Sequence, residues 1–301
     1  MDRHRSRIGV WIASSALVLG SLACATTDPK RPPLAYDAEA FREAVRSRAP
    51  ELSDRMLRAP SEVPAEAVER ARARVMAAPP GPARVRALLN FLSDPAPRGL
   101  GLVYDWATSS TAERTIELGK GDCVALATVM VGIGRELRWP VYFAEARTMR
   151  PETHAFEEVT VLSDHMVVIV AAKTVQMVID FLGRVEEGYD IRPIDDLTAY
   201  AHLINNVAGR LVTDLDSKDA DEQWRQALAG FELATRIQPR LGRAWNNLGI
   251  AYARFGRFDE ARAAYQRAVA LDTAFGSAER NLIIMETRAS GAPTLIESEL
   301  R

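Results

Sequence analysis

The sequence predicts an α+β domain followed by an all-α module of repeated helical hairpins. Three observations carry this. An apolar run from Val124 to Leu137 is long enough for one buried helix, and it opens on Cys123. Three runs rich in β-branched and aromatic residues follow it, Val141–Ala146, His165–Val170 and Val175–Phe181, each bounded by turn-forming residues. Further on, Ala227, Phe231 and Ala234 recur 34 positions later as Ala261, Tyr265 and Ala268.

Composition narrows the function. A chain of 301 residues suggests about two domains. The net charge of −2 carries no basic excess for nucleic acid. Cys24 and Cys123 stand in different contexts and imply no disulfide framework. With only four histidines in the chain, any cysteine–histidine pairing has few possible partners.

The N-terminus reads as an address. Arg3, Arg5 and Arg7 precede an apolar run from Ile8 to Gly20, too short and too interrupted to span a membrane. Gly20-Ser-Leu-Ala-Cys24 then resembles a bacterial lipoprotein signal, in which Cys24 is lipidated and tethers the mature chain to a membrane surface. An ordinary secretory signal cut after Ala25 is the alternative. Residues 1–24 are thus expected to be a leader and 25–35 a stiff polar tether containing Pro29, Pro32 and Pro33. The expected location is the bacterial cell envelope.

Helices are expected at Ala38–Arg48, Pro64–Ala77 (with Ser61 as cap) and Ala83–Leu92, and a short capped one at Ser110–Thr115. None carries evident chemistry.

Cys123 is the candidate nucleophile. Asp122 is placed to cap the first turn of its helix, and a thiol at a helix N-terminus lies where the dipole favours a thiolate. Trp139-Pro140 ends the helix. After the strand Val141–Ala146, residues 147–163 read as a polar loop holding His154, a rival histidine beside Glu152, Glu157 and Glu158; its spacing fits no zinc motif. His165 opens the next strand. Asp180 interrupts the apolar run of the last, where a charge is costly unless paired. A hairpin turning near Lys173 would bring His165 and Asp180 together. Such a Cys-His-Asp set performs nucleophilic attack on an amide carbonyl. The Cys123 N–H is the evident oxyanion donor; no second donor is identifiable, the Trp106 indole being a candidate whose residue suits core packing better.

The order Tyr104-Asp105, Thr111-Ala112-Glu113, Gly121-Asp122-Cys123, His165-Met-Val-Val-Ile-Val170 and Val178-Ile-Asp180-Phe181 resembles the transglutaminase-like superfamily, within the wider group of papain-like cysteine hydrolases. It is similar in particular to bacterial secreted proteins that join such a core to tetratricopeptide repeats. The resemblance implies helices packed on a small antiparallel sheet, with a triad at Cys123, His165 and Asp180. Many members carry an aromatic residue shortly after the histidine, where this chain has Met166-Val167. No metal or other cofactor is implied.

Trp245-Asn-Asn-Leu-Gly249, Tyr252, Gly256, Ala261, Tyr265 and Ala268 match the tetratricopeptide pattern. Ile204-Asn-Asn-Val-Ala208 lies 41 positions earlier, the extra length falling in an acidic loop over Thr213–Asp221. Phe275–Arg288 is expected to close the module. The domains are therefore placed at 36–196 (transglutaminase-like) and 197–290 (repeats), with 291–301 as a flexible tail.

Two functions follow as expectations. One is an exported cysteine-dependent acyl-transfer enzyme, either a protease or amidase or a transglutaminase, acting on a protein or peptide substrate, with repeats that dock the substrate or an envelope protein. The other is a non-catalytic envelope scaffold that binds partners through its repeats.

Overall fold

The structure, a computed structural model, describes residues 9–13, 33–147, 153–156, 159–162, 165–171, 176–183, 185, 190–213, 219–271 and 277–289. Cys24, the tether up to residue 32 and the tail at 291–301 lie outside the described residues. The chain divides into two units. The first comprises residues 1–149 and 165–199; the second comprises 150–164 and 200–301.

In the first unit, α1 (Ala38–Arg48) is capped by Asp37, whose carboxylate accepts from Ala40 N at 2.8 Å. It buries Phe41 and Val45 and turns its arginines outward. After a 3₁₀ turn (Asp54–Leu57) come α2 (Ala65–Met76) and α3 (Pro82–Ser93). Ser61 does not cap α2. Pro64 takes the N-cap position without a side-chain hydrogen bond, and Ser61 is buried instead. Two-residue strands β2 (Val103–Tyr104) and β3 (Lys120–Gly121) pair in parallel on either side of α4 (Ala112–Leu118). The short helix expected over Ser110–Thr115 thus begins two residues later.

The cysteine helix, α5 (Cys123–Glu136), is buried continuously from Val124 to Gly134. That burial requires Gly132: a Cβ there would lie 2.1 Å from the Ser61 carbonyl oxygen. The helix packs against β4 (Val141–Arg147) and against β7 (His165–Ala171). Between β4 and β7 the sequence reads as a polar loop. The structure forms a hairpin there, β5 (Thr153–Phe156) with β6 (Val159–Leu162), grouped with the second unit. His154 belongs to β5, paired with Val161. The glutamates that made this stretch look like a loop flank a short alternating pattern on either strand.

With β8 (Gln176–Asp180) and β9 (Asp190–Ile194), β4 and β7 form an antiparallel sheet. Including β1 (Gly9–Ala13), its order is β1-β8-β7-β4-β9. β9 was missed in the sequence because Pro193 and Arg192 dilute its apolar signal. It is an edge strand, where proline is tolerated. β1 comes from the run expected to be the apolar core of a leader, and it pairs with β8 from Gly9↔Asp180 to Ala13↔Gln176.

Asp196 starts α6 (Asp196–Thr213) and ties this unit together. It is 1% exposed, accepts two hydrogen bonds of 2.8 Å from the Arg135 guanidinium, and accepts from Tyr36 N at 2.9 Å. A two-toothed pair of this kind is strong and directional.

The second unit holds most of α6, then α7 (Ala220–Ile237), α8 (Gly242–Arg254), α9 (Phe258–Leu271) and α10 (Ser277–Ala289). Helices α8 and α9 touch closely because position 249 has no side chain: a Cβ there would lie 2.7 Å from the Tyr265 ring. Asparagines link successive hairpins. Asn247 donates to Asn205 at 3.0 Å, Asn246 to Asn247 at 3.3 Å, and Asn281 to Asn246 at 2.9 Å. Among the described residues, no helix is long and apolar enough to cross a membrane.

Candidate active site

The loop before Cys123 is held from two sides. Val103 N donates to Gly119 O at 3.1 Å, Asp105 N to Gly121 O at 2.9 Å, and Asp122 N to Thr108 O at 2.7 Å. The Lys120 ammonium reaches Asp105 at 2.6 Å, and this hydrogen bond, more than any other influence, holds the Asp105 carboxyl below its ordinary value of 3.8. Asp122, 2% exposed, caps α5 by accepting from Ala125 N at 2.9 Å, and it also accepts from the Ser109 hydroxyl. The capping was legible in the sequence. Ser109 was not, because nothing in Ser109-Ser-Thr111 marks one hydroxyl for a contact 13 positions away.

Cys123 occupies the first position of α5, unpaired and partly accessible. His165 opens β7 as expected, its side chain 12% exposed. Its Nε2–H donates to Asp180 Oδ1, and the Cys123 thiol lies near enough to act on the ring electrostatically. Asp180 is 1% exposed and accepts from Leu182 N at 2.8 Å and Val185 N at 2.7 Å. A buried carboxylate with one histidine and two amide donors is well compensated. Those two amides had no sequence signal, since any non-proline backbone can supply them.

Cys123, His165 and Asp180 are therefore brought together. Electrostatics bind the last two. Burial opposes a charge on His165, but the hydrogen bond to Asp180 and the interaction with Cys123 outweigh it and raise the imidazole from 6.5 to about 10. Burial likewise opposes a charge on Asp180, yet the His165 bond and the two amides lower the carboxyl from 3.8 to about 2. The pair is an imidazolium–carboxylate at neutral pH.

Trp106 is 50% exposed, so core packing is not its role. The turn that carries it closes through Thr108 N to Asp105 O at 3.1 Å and Thr108 Oγ1 to Asp105 Oδ2 at 2.8 Å, leaving position 106 on the outside. Cys24 and the His154 side chain lie outside what is described. Among the described residues, no group of three histidines, cysteines or carboxylates could hold a metal ion.

A tetratricopeptide repeat family model matches residues 242–275, which span α8 and α9. No curated protein sequence matches the chain. The chain thus combines a mixed α/β region of small sheets with a C-terminal helical region containing a tetratricopeptide repeat, a type of repeat that commonly mediates protein–protein contact.

Proposed function

We propose that the chain is an exported cysteine-dependent acyl-transfer enzyme of transglutaminase-like type. The observation that carries this reading is the convergence of Cys123, His165 and Asp180 at the mouth of the sheet. Attack requires the deprotonated sulfur, and a cationic His165 beside it holds that thiolate as an ion pair. The sulfur attacks an amide carbonyl carbon and forms a C–S bond; the carbonyl electrons move to oxygen, where the Cys123 N–H donates. As the C–N bond breaks, His165 gives its proton to the departing amine and a thioester remains. Water or a second amine then adds to the thioester and yields its proton to His165. The thiolate leaves, restoring the pair. Asp180 holds the ring in register throughout.

The leader-like N-terminus supports export, with Cys24 as the site of a lipid anchor and the periplasmic side of the envelope as the location. The repeat supports docking of a protein substrate or partner. The competing scaffold reading is favoured by one observation, that the matched part of the chain is the repeat.

The test is alkylation of Cys123 as a function of pH, in the wild type and in His165→Ala. Fast alkylation at neutral or lower pH, where an ordinary thiol of about 8.5 is protonated, and its loss in the variant support the enzyme. Slow alkylation that ignores His165 supports the scaffold. Amide turnover that survives Cys123→Ser rules the mechanism out.

A further inference from the structure

Away from the candidate active site, α1 and the 3₁₀ turn after it enclose a cleft of about 440 Å³ lined by Arg42, Arg46, Asp54, Arg55 and Arg58. Four guanidinium groups face one carboxylate in a chain whose net charge is −2, so the cluster does not follow from composition. Its geometry follows from helical spacing. Arg42 and Arg46 are one turn apart on α1, on an exposed face beside the one that buries Phe41 and Val45. Arg55 and Arg58 are three apart on the facing turn and its exit.

Two of the four are already engaged. Arg46 pairs with Asp54 at 3.0 Å, and Arg58 pairs with Glu62 at 2.6 Å and Glu113 at 3.5 Å. Among the described residues, no acidic partner is recorded for Arg42 or Arg55. The cleft therefore offers two uncommitted guanidinium groups from two elements, with two more whose acidic partners hold them in place. Guanidinium forks match the geometry of phosphate oxygens and are weakly hydrated.

We propose that this cleft binds a phosphate-bearing anion, with an anionic lipid headgroup as its occupant in the anchored protein. The preference for a lipid rests on the proposed anchor. Cys24 lies 13 residues before Asp37, so a chain fixed there holds α1 within ~45 Å of the bilayer surface. A single lipid signal is reinforced by a basic patch of this kind. The phosphate site itself rests only on the cleft.

The test uses the full chain with vesicles of phosphatidylglycerol and phosphatidylcholine against pure phosphatidylcholine. The difference between the two removes the apolar contribution of the leader, and its Arg3, Arg5 and Arg7, common to every variant, cancel when variants are compared. Binding should favour the anionic vesicles, and Arg42→Gln/Arg55→Gln should weaken it by roughly thirtyfold. The charge-matched control Arg86→Gln/Arg98→Gln, on exposed positions outside the cleft, should change it far less. In a second arm, inorganic phosphate should raise the thermal midpoint of the wild type but not of the cleft variant. Protection by phosphate without vesicle preference identifies a soluble phosphate compound as the occupant. Equal weakening by both double variants, or no response in either arm, overturns the proposal. Cys123 alkylation is read in parallel. It should be unchanged in the cleft variant, so failure here and failure of the enzyme reading remain distinguishable.

Discussion

His165 meets Asp180 along a diagonal of the β7–β8 ladder, not straight across it. The register pairs Val168 with Ile179, and one step further sets Asp180 opposite Val167. Alternation then puts His165 and Asp180 on the same side, two positions apart along the strands, a separation that only a long or ring-bearing side chain closes. The carboxylate is oriented by the Leu182 and Val185 amides, so it is the fixed member and the imidazole the guided one.

Asp180→Asn should accordingly uncouple the ring. The amide keeps its shape but loses the charge that stabilises the imidazolium, and it can present NH₂ to Nε2. The His165 ring should then titrate below about 10, nearer its ordinary 6.5. Any amide turnover should fall by on the order of 10²–10⁴-fold. Ring ¹⁵N chemical shifts followed against pH read the first effect, and kcat the second. An unmoved titration would show that Asp180 does not govern the ring.

The same pair sets a pH window for stability. The folded value for His165 is raised, from 6.5 to about 10, so its contribution is complete below 6.5 and is lost as pH rises through about 10. The folded value for Asp180 is lowered, from 3.8 to about 2, so its contribution is complete above 3.8 and is lost as pH falls through about 2. The difference in Tm between wild type and His165→Gln/Asp180→Asn should be largest between about pH 4 and 6.5, and should shrink towards both ends. A difference that stays flat to pH 10 would contradict the ion pair.

Much of this site was legible because each part has a local cause. Asp122 before an apolar run is placed to cap it, and Asp180 in an apolar strand demands a partner, which a hairpin turning near Lys173 would make His165. The unread parts depend on distance. The β5–β6 hairpin was hidden by flanking charges, β9 by Pro193, and the contact of Arg135 with Asp196 by a separation of 61 positions. The exposure of Trp106 follows from the Asp105 turn, which a sequence reading of an aromatic near a cysteine loop had no means to see.

That distant contact carries its own prediction. Arg135 and Asp196 are 22% and 2% exposed, and Asp196 also accepts from Tyr36 N. Asp196→Ala leaves a largely buried guanidinium and an amide without their acceptor. The cost should be about 3–5 kcal/mol, read by urea denaturation. Arg135→Met/Asp196→Leu should cost much less, because removing both charges leaves neither stranded.

Gly132→Ala tests the packing of the buried helix. Alanine is the better helix former by about 1 kcal/mol, so propensity alone predicts stabilisation. The new methyl would sit 2.1 Å from a backbone oxygen at Ser61, and a backbone segment moves less readily than a side-chain tip. Overpacking should win, with a net loss of about 1–3 kcal/mol in urea denaturation. A more stable variant would mean that the Ser61 segment yields freely.

The last prediction concerns β1. Its five residues add a strand to the free side of β8, and β8 is already held on its other side by β7. If export removes the leader ahead of Cys24, the mature sheet must stand with β8 as its edge. Backbone hydrogen bonds at an edge exchange for water at small net cost, about 1 kcal/mol each or less. His165, Leu182 and Val185, which hold Asp180, all lie outside β1. A chain beginning at residue 24 should therefore unfold within a few degrees of the full chain and alkylate at Cys123 at the same rate. Thermal unfolding and alkylation, compared between the two chains, measure this directly. Collapse of the shortened chain would make Gly9–Ala13 an integral strand and would remove the leader reading, while leaving the Cys123–His165–Asp180 geometry to be judged on its own chemistry.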